Sequence, residues 1–536
     1  MQIWLDPALC RSEGLSQDTP GVSTASHEPE CADDCDADCD CNQASGRPAL
    51  SLSTHPHHLH SLWQHSLRCA QDLYLDQFDD THWLACNPVQ QGSVAVLDRE
   101  AWMLLDGFRA GCSLQELAEG SAQLEQQVAP ASAQMVLLFL ALGLVIDTTH
   151  PAPQVARRHE SATLSAWLHL TNACNMSCSY CYIAKSQEHM SEDVGRRAVD
   201  AILRSAVRCG YRHVRLKYAG GEALLRFSQL LALHDYASRQ AGQRGLRLTA
   251  VVLSNGLALT PRVIQQLQQR SIGVAISIDG IGAPHDGQRT LLNGAGSSAL
   301  VQRVLERLLA HRLVPHVSVT VSQHNLCGLV DLVAYLLTCD VPFSFSYYRE
   351  NDCSATHTDL QFSEQQMIAG MKRAFAYIRE HLTSRKIYSA LLDKANLSAA
   401  HAHTCTAGHH YLVIDQRGGV ARCQSAIQQT ITTIDDDNPL AQVRAYRKDF
   451  QVLDVDRKEG CCTCNWRYWC GGGCAVLTYR FTGRNDIRSP NCGIYKALFP
   501  EVLRLEALRL LTYTEPFTKS DEHLPLAGGG VSRQDC

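Results

Sequence analysis

Between residues 166 and 347, short runs rich in β-branched and apolar residues recur with helical stretches between them: Ala166–Leu170, His213–Tyr218, Leu248–Leu253, Gly273–Ile278, His316–Val321 and Pro342–Tyr347. Strands that alternate with helices in this way form a parallel sheet, because each helix carries the chain back over one face before the next strand begins. Six such units predict an α/β fold, a partial (β/α)6 barrel of TIM-like geometry. Parallel barrels do their chemistry at the C-terminal ends of their strands. The residues that follow each run are therefore where functional groups are expected.

At 536 residues the chain exceeds what one core supports, and 45% apolar content fills more than one. Residues 1–57 are rich in Ser, Pro, His and Asp without apolar periodicity and read as a disordered tail. Cys31, Cys35, Cys39 and Cys41 lie in it among Asp33, Asp34, Asp36, Asp38 and Asp40, as a solvated acidic stretch or, alternatively, a metal-handling one. Residues 58–150 read as a small winged-helix-like domain, with strand-like pieces at Trp83–Cys86 and Ser93–Leu97 before three helical patterns. Ser113 caps the second of these, and Glu116 completes a capping box. A polar linker over 151–163 leads to the barrel at 164–350, then a helical connector at 351–400, a loop-rich cysteine domain at 401–515 and a flexible tail at 516–536.

A net charge of −6 with no Lys/Arg stripe excludes bulk nucleic-acid binding. The most apolar stretch, Met135–Ile146, is shorter than the roughly 18 residues of a spanning helix, and no N-terminal signal is visible, so a cytoplasmic protein without a membrane partner is expected. In that reducing compartment, 24 cysteines point to metal ligation rather than disulfides.

Directly after the first strand comes Thr171-Asn172-Ala173-Cys174-Asn175-Met176-Ser177-Cys178-Ser179-Tyr180-Cys181. A cubane cluster takes four thiolates, so three leave one iron open to a non-protein ligand. A structural zinc site is the alternative, but zinc prefers four closed ligands and no His stands at suitable spacing. This C-x3-C-x2-C spacing, with an aromatic before the last cysteine, closely resembles the signature of the radical S-adenosylmethionine (SAM) superfamily. The resemblance implies that Cys174, Cys178 and Cys181 hold a 4Fe–4S cluster whose fourth iron chelates SAM, with Tyr180 near the adenine. Gly220-Gly221-Glu222 after the second strand resembles the superfamily's motif that meets the methionyl amino group, since glycine allows close backbone approach. Asn255, in Ser254-Asn255-Gly256 after the third strand, and Ser277 and Asp279, in Ser277-Ile278-Asp279-Gly280 after the fourth, resemble further SAM contacts, although each stretch also suits a plain turn. His285, Asp286 and Arg289 beyond the fourth strand are expected to be solvated or structural, with no catalytic role.

The second array runs Cys405, Gly418, Cys423, Cys461, Cys464, Cys470, Cys474 and Cys492. Zinc ribbons would need two paired motifs, and one pair is present. The array resembles the seven-cysteine SPASM extension of radical SAM peptide and protein maturases. That resemblance implies a first auxiliary cluster on Cys405, Cys423 and Cys474 and a second on Cys461, Cys464, Cys470 and Cys492, with Cys462 spare. Cys353 is distant, whereas His401 and His403 are close, so the first auxiliary site is either open to a substrate thiolate or His-ligated.

Cys86-Asn87-Pro88, Val94–Leu97, Trp102–Gly107 and Leu138–Ile146 resemble the peptide-recognition element of enzymes that mature ribosomally made peptides; an ordinary helical accessory domain is the alternative. The resemblances together imply an oxidoreductase that generates a 5′-deoxyadenosyl radical and modifies a precursor peptide, forming a thioether or side-chain cross-link. Residues 60–149 would dock the leader, and a flavodoxin or ferredoxin would supply electrons. The core also resembles anaerobic sulfatase maturases, which make formylglycine; there an aspartate base follows the second auxiliary cysteine, where this chain has Gln424, and a neutral amide cannot take a proton. A non-catalytic iron–sulfur electron carrier is the third alternative.

Overall fold

The computed structural model describes residues 1–6, 63–88, 94–119, 130–149, 162–387, 390–397 and 400–517. All six expected runs are strands: β7 (Thr163–His169), β9 (His213–Ala219), β10 (Arg247–Ser254), β11 (Ile272–Ser277), β13 (His316–Val321) and β14 (Phe343–Tyr347). They lie parallel in the order β14-β13-β11-β10-β9-β7, with Ala166 opposite Leu216 and Ala250 opposite both Leu216 and Ile272. Covered on both faces, β7 buries all seven residues. Leu164, Ala166 and Leu168 join the helix-side core, whereas Trp167 packs inward with Tyr411 and Val413.

The sheet does not stop where the sequence suggests. Tyr411–Ile414, within the expected separate cysteine domain, forms β15 and pairs in parallel with β7. Beyond it β16 (Gly419–Ala421) and β17 (Thr432–Thr433) complete nine strands in antiparallel fashion. Without β15, the outer edge of β7 would present unpaired backbone groups. The hairpin from β15 to β16 thereby fixes the chain between Cys405 and Cys423 to the barrel.

The crossover helices begin where the sequence provides caps. Ser191 accepts from the backbone of Val194 ahead of Glu192–Arg208, and Ser363 and Gln366 form a reciprocal capping box for Glu364–Glu380. Glu192–Arg208 turns Ala198, Val199, Ile202 and Leu203 onto the sheet. Among the described residues no helix is long and apolar enough to cross a membrane.

The N-terminal domain contains more sheet than expected. Beside β4 (His82–Cys86) and β5 (Val94–Asp98) stand β3 (Tyr74–Gln77) and β1 (Ile3–Trp4), in the order β1-β5-β4-β3, while β2 (Leu67–Cys69) pairs separately with β6 (Val145–Asp147). Ile3 faces Leu97 and Trp4 faces Val96, so the tail expected from residue 1 is corrected for residues 1–6: Ile3, Trp4 and Leu5 are buried against the N-terminal sheet. Phe517 bridges to Ile3, so residues 516–517, expected to begin a flexible tail, are likewise tied down. Cys31, Cys35, Cys39 and Cys41 lie outside the described residues. The helices Arg99–Gly107, Leu114–Glu119 and Pro130–Ala141 follow, and Ser113 and Glu116 make the expected box, with bonds of 3.1 and 2.8 Å. One sheet face packs on Leu104, Leu105, Phe108 and Phe139, and the other joins the barrel core through Leu84 and Val96.

Candidate active site

At the end of β7 the chain turns into a loop that carries Cys174, Cys178 and Cys181. Its middle forms the short strand β8 (Met176–Cys178), which pairs antiparallel with β12 (Arg289–Leu291) so that Cys178 lies opposite Arg289. Lys185 donates to the Met176 carbonyl at 2.6 Å from the other side. The three thiols are partly exposed and face one another closely enough to interact electrostatically. Burial pushes Cys181 up to about 11 and raises Cys174, so thiolate formation on metal binding releases protons.

The glycines of the second motif pack against this loop. A Cβ on Gly220 would fall 2.5 Å from the Thr171 carbonyl oxygen, and one on Gly221 would fall 2.4 Å from that of Ala173. Gly221 and Glu222 donate their amides to the same two carbonyls, at 2.6 and 2.9 Å. The close approach inferred from sequence is thus made to the cysteine loop itself. Glu222 is buried, which raises its pKa, and its carboxylate accepts from the amides of Leu224 and Asn255 and from the Ser254 hydroxyl. It fastens the end of β9 to that of β10. Asn255 then reaches the loop, donating to Asn175 Oδ1 at 2.7 Å, with Cys174 Sγ at 3.8 Å.

Part-buried Tyr180 forms a triad with the buried Asp279 and Arg289. The Tyr180 hydroxyl donates to Asp279 Oδ2 at 2.7 Å and accepts from Arg289, whose guanidinium lies 3.7 Å from the same carboxylate. Asp279 also accepts from the Thr320 amide, and Ser277 stands two residues earlier at the end of β11, paired with Ser318. The expectation for His285, Asp286 and Arg289 is corrected where it called for solvent. His285 is fully buried and joins the Asp279 amide to the Ser297 hydroxyl; Asp286 accepts from the amides of Ser297 and Ser298. Burial, reinforced by Arg289, lowers His285 to about 4. Arg289 Nε is buried with no hydrogen-bond partner among the described residues, an orphaned cationic donor within the triad beside the cysteine loop. Sequence reasoning missed it because nothing in a polar loop signals burial; the Arg289-Thr290-Leu291 run, read as a strand, is the available hint.

The C-terminal thiols gather into two groups. Cys461, Cys464, Cys470 and Cys492 line one small pocket that is walled by Trp466 and Phe499. Cys492 begins the 22-residue helix Cys492–Tyr513, and burial raises the pKa of its thiol. Cys423, pushed by burial to about 12, interacts with Cys405 and Cys474. The groups meet at Gly471-Gly472-Gly473, with φ of 54°, 83° and 72°. A Cβ on Gly471 would fall 2.4 Å from the Thr404 nitrogen. Thr404, next to Cys405, donates its hydroxyl to the carbonyls of Cys470 and Gly473. Cys462 is exposed, and the Cys353 thiol lies 3.6 Å from the Tyr182 carbonyl, beside the first cysteine loop. His403 packs on His409 with ring centroids 4.4 Å apart. Gln424 is buried next to Cys423 Sγ, with Oε1 3.8 Å away.

Among the described residues no three His, Cys, Asp or Glu side chains converge as one metal ion requires. A cubane distributes its thiolates over separate irons, and groups of three and four cysteines have the donor chemistry to hold one. Residues 168–331 match the Radical SAM superfamily. The sporulation killing factor maturation protein SkfB of Bacillus subtilis is 28% identical over 173 residues, which cover 32% of this chain and 38% of SkfB, less than half its length. A serine-type anaerobic sulfatase-maturating enzyme of Klebsiella aerogenes is 21% identical over 346 residues, 62% of this chain and 83% of that enzyme. Among solved structures, anSMEcpe with bound AdoMet and Cp18Cys peptide shares the fold at a TM-score of 0.54 and 18% identity, over 65% of this chain and 99% of that one. The partial-barrel expectation is thereby borne out, and SAM and iron–sulfur clusters are the cofactors that accompany such a domain.

Proposed function

We propose that this chain, which carries a radical SAM domain, is a maturase that oxidatively modifies a ribosomally made precursor peptide, forming a thioether or side-chain cross-link. Cys174, Cys178 and Cys181 would hold the SAM-binding cluster. The two C-terminal groups, Cys405 with Cys423 and Cys474, and Cys461 with Cys464, Cys470 and Cys492, would hold auxiliary clusters. When bound, SAM and its cluster supply a 5′-deoxyadenosyl radical able to abstract hydrogen from an unactivated carbon. The chain's own residues bind, orient and exclude. Arg289, with a free Nε, offers a charge-assisted bond to a carboxylate such as that of SAM. Asn255, Ser277, Asp279 and Tyr180 stand at the strand ends around it, with Gly220, Gly221 and Glu222 holding the cysteine loop in register. Trp167, Tyr411 and Val413 keep the barrel interior dry beneath.

The observation that carries the choice of reaction is Gln424. At the position where a maturase making formylglycine would need a base, a buried amide stands beside Cys423 and accepts no proton. Similarity to SkfB over the domain supports a peptide substrate. The longer match to the Klebsiella enzyme favours the second reading, formylglycine formation. In the N-terminal sheet, β1 already covers the β5 edge, and Arg504 reaches the carbonyls of Gln77 and Phe78 at the end of β3, so a leader that adds a strand must take the remaining edge of β3 or displace β1. The deciding experiment is mass spectrometry of a Cys- or aromatic-rich peptide encoded beside the gene, and of a sulfatase-derived Cys peptide, after anaerobic incubation with reconstituted enzyme, SAM and reductant. Loss of two hydrogens with sulfur retained is the expected result; exchange of sulfur for oxygen in the sulfatase peptide alone would establish the second reading.

A further inference from the structure

Lys458 is a buried charge with no part in the reaction proposed for the SAM site. It is 2% exposed, and its ammonium donates to a neutral acceptor, the Gly472 carbonyl, at 3.0 Å. Its stem lies so close to Gly472 that a Cβ there would fall 2.8 Å from both Cδ and Nζ. Gly472 sits midway between Cys470, of the group of four, and Cys474, of the group of three. The Lys458 carbonyl in turn accepts from the amides of Cys461 and Cys462, at 3.0 and 3.1 Å. Burial lowers the pKa of Lys458, while the thiols of Cys461, Cys470, Cys474 and Cys405, two from each group, act in the opposite direction and favour its charged form. A buried cation is costly unless an anion offsets it, and here the available anions are thiolates of both sites.

We propose that Lys458 is a positioning residue shared by the two auxiliary cysteine groups, one fixed ammonium that raises the reduction potential of both clusters together. This rests on the reading that these cysteines hold two auxiliary clusters. Reduction adds one negative charge to a cluster, and a cation held beside it in a poorly polarisable interior favours the reduced form. Because the same charge serves both sites, its removal shifts both potentials in the same direction.

The test is EPR-monitored potentiometric titration of full-length protein, reconstituted with iron and sulfide in a Cys174→Ala/Cys178→Ala/Cys181→Ala background, so that auxiliary signals alone remain. Lys458→Met and Lys458→Gln are compared with Lys458→Arg, and iron is counted for each. The expected result is a reduced fraction on the order of tenfold smaller at fixed potential, at both clusters, in either neutral variant, with the Arg variant close to the parent. If neither neutral variant loads iron while the Arg variant fills both sites, both sites require the charge, which also supports the proposal. Full iron with one or neither potential moved would overturn it, as would an Arg variant that fails like the neutral ones, because packing would then explain the effect. A parent protein lacking either auxiliary signal would remove the two-cluster reading beneath the proposal, and the proposal with it.

Discussion

Cys174, Cys178 and Cys181 stand on a single loop, whereas the C-terminal thiols are collected from segments between Cys405 and Cys492. The loop is sewn to β12, braced by Gly220 and Gly221, and set beside a triad whose Arg289 keeps an uncommitted donor. The group of four instead lines its pocket with Trp466, Phe499 and the start of a helix. On the proposed reading, three thiols beside polar groups leave a position for a small molecule, whereas four thiols beside aromatic walls fill their own site. The difference teaches where turnover can be lost without losing the fold, and where both go together.

The largest effect belongs to the open site. Replacing Cys174, Cys178 and Cys181 by Ala should reduce 5′-deoxyadenosine formation to background while the thermal midpoint stays near the parent's, as read by chromatography and calorimetry. The closed site should behave oppositely. Cys461→Ala/Cys470→Ala should remove one cluster's iron and lower Tm by roughly 5 °C or more, because ligand binding there is folding energy, with SAM cleavage in the absence of peptide retained. A Tm loss of equal size in both variants would break the distinction. Arg289→Met should weaken SAM binding by about ten- to a hundredfold by calorimetric titration, and Arg289→Lys should recover part of it; unchanged affinity would show that the orphaned donor serves the loop alone.

The smallest effect concerns pH. His285 titrates at about 4 in the folded protein against 6.5 for a free imidazole, so between these values the unfolded chain binds the extra proton. Stability should therefore be full above about pH 6.5 and decline as pH falls toward 4. Asp279, Asp286 and Arg289 are the charges around it. His285→Gln should flatten Tm against pH over that window, and an unaltered slope would assign the dependence to other buried histidines.

Spacing carried the sequence reading as far as local chemistry goes. The strands from Thr163 to Tyr347 were legible because apolar runs and helices alternate, and the cysteine loop because its thiols are neighbours in sequence. What could not be read depended on partners far along the chain. Tyr411–Ile414 looks like any short apolar run until β7 supplies an edge for it to cover. Ile3–Trp4 is two residues ahead of a polar stretch, and its role is set by Val96 and Leu97. Arg289 and His285 carry polar side chains that a single sequence places in water; the neighbours that bury them, Tyr180 and Ser297, come from other loops.

The helix Cys492–Tyr513 has a mechanical consequence. Cys492 lies at its first turn, and Arg504, about 18 Å further along the axis, grips Asp76 and the carbonyls of Gln77 and Phe78 on the N-terminal sheet. The helix is therefore a strut between the wall of the four-cysteine pocket and the N-terminal sheet. Its length sets the separation between Cys492 and β3, so the four-cysteine pocket and the N-terminal sheet are spaced by one continuous helix rather than by a loop.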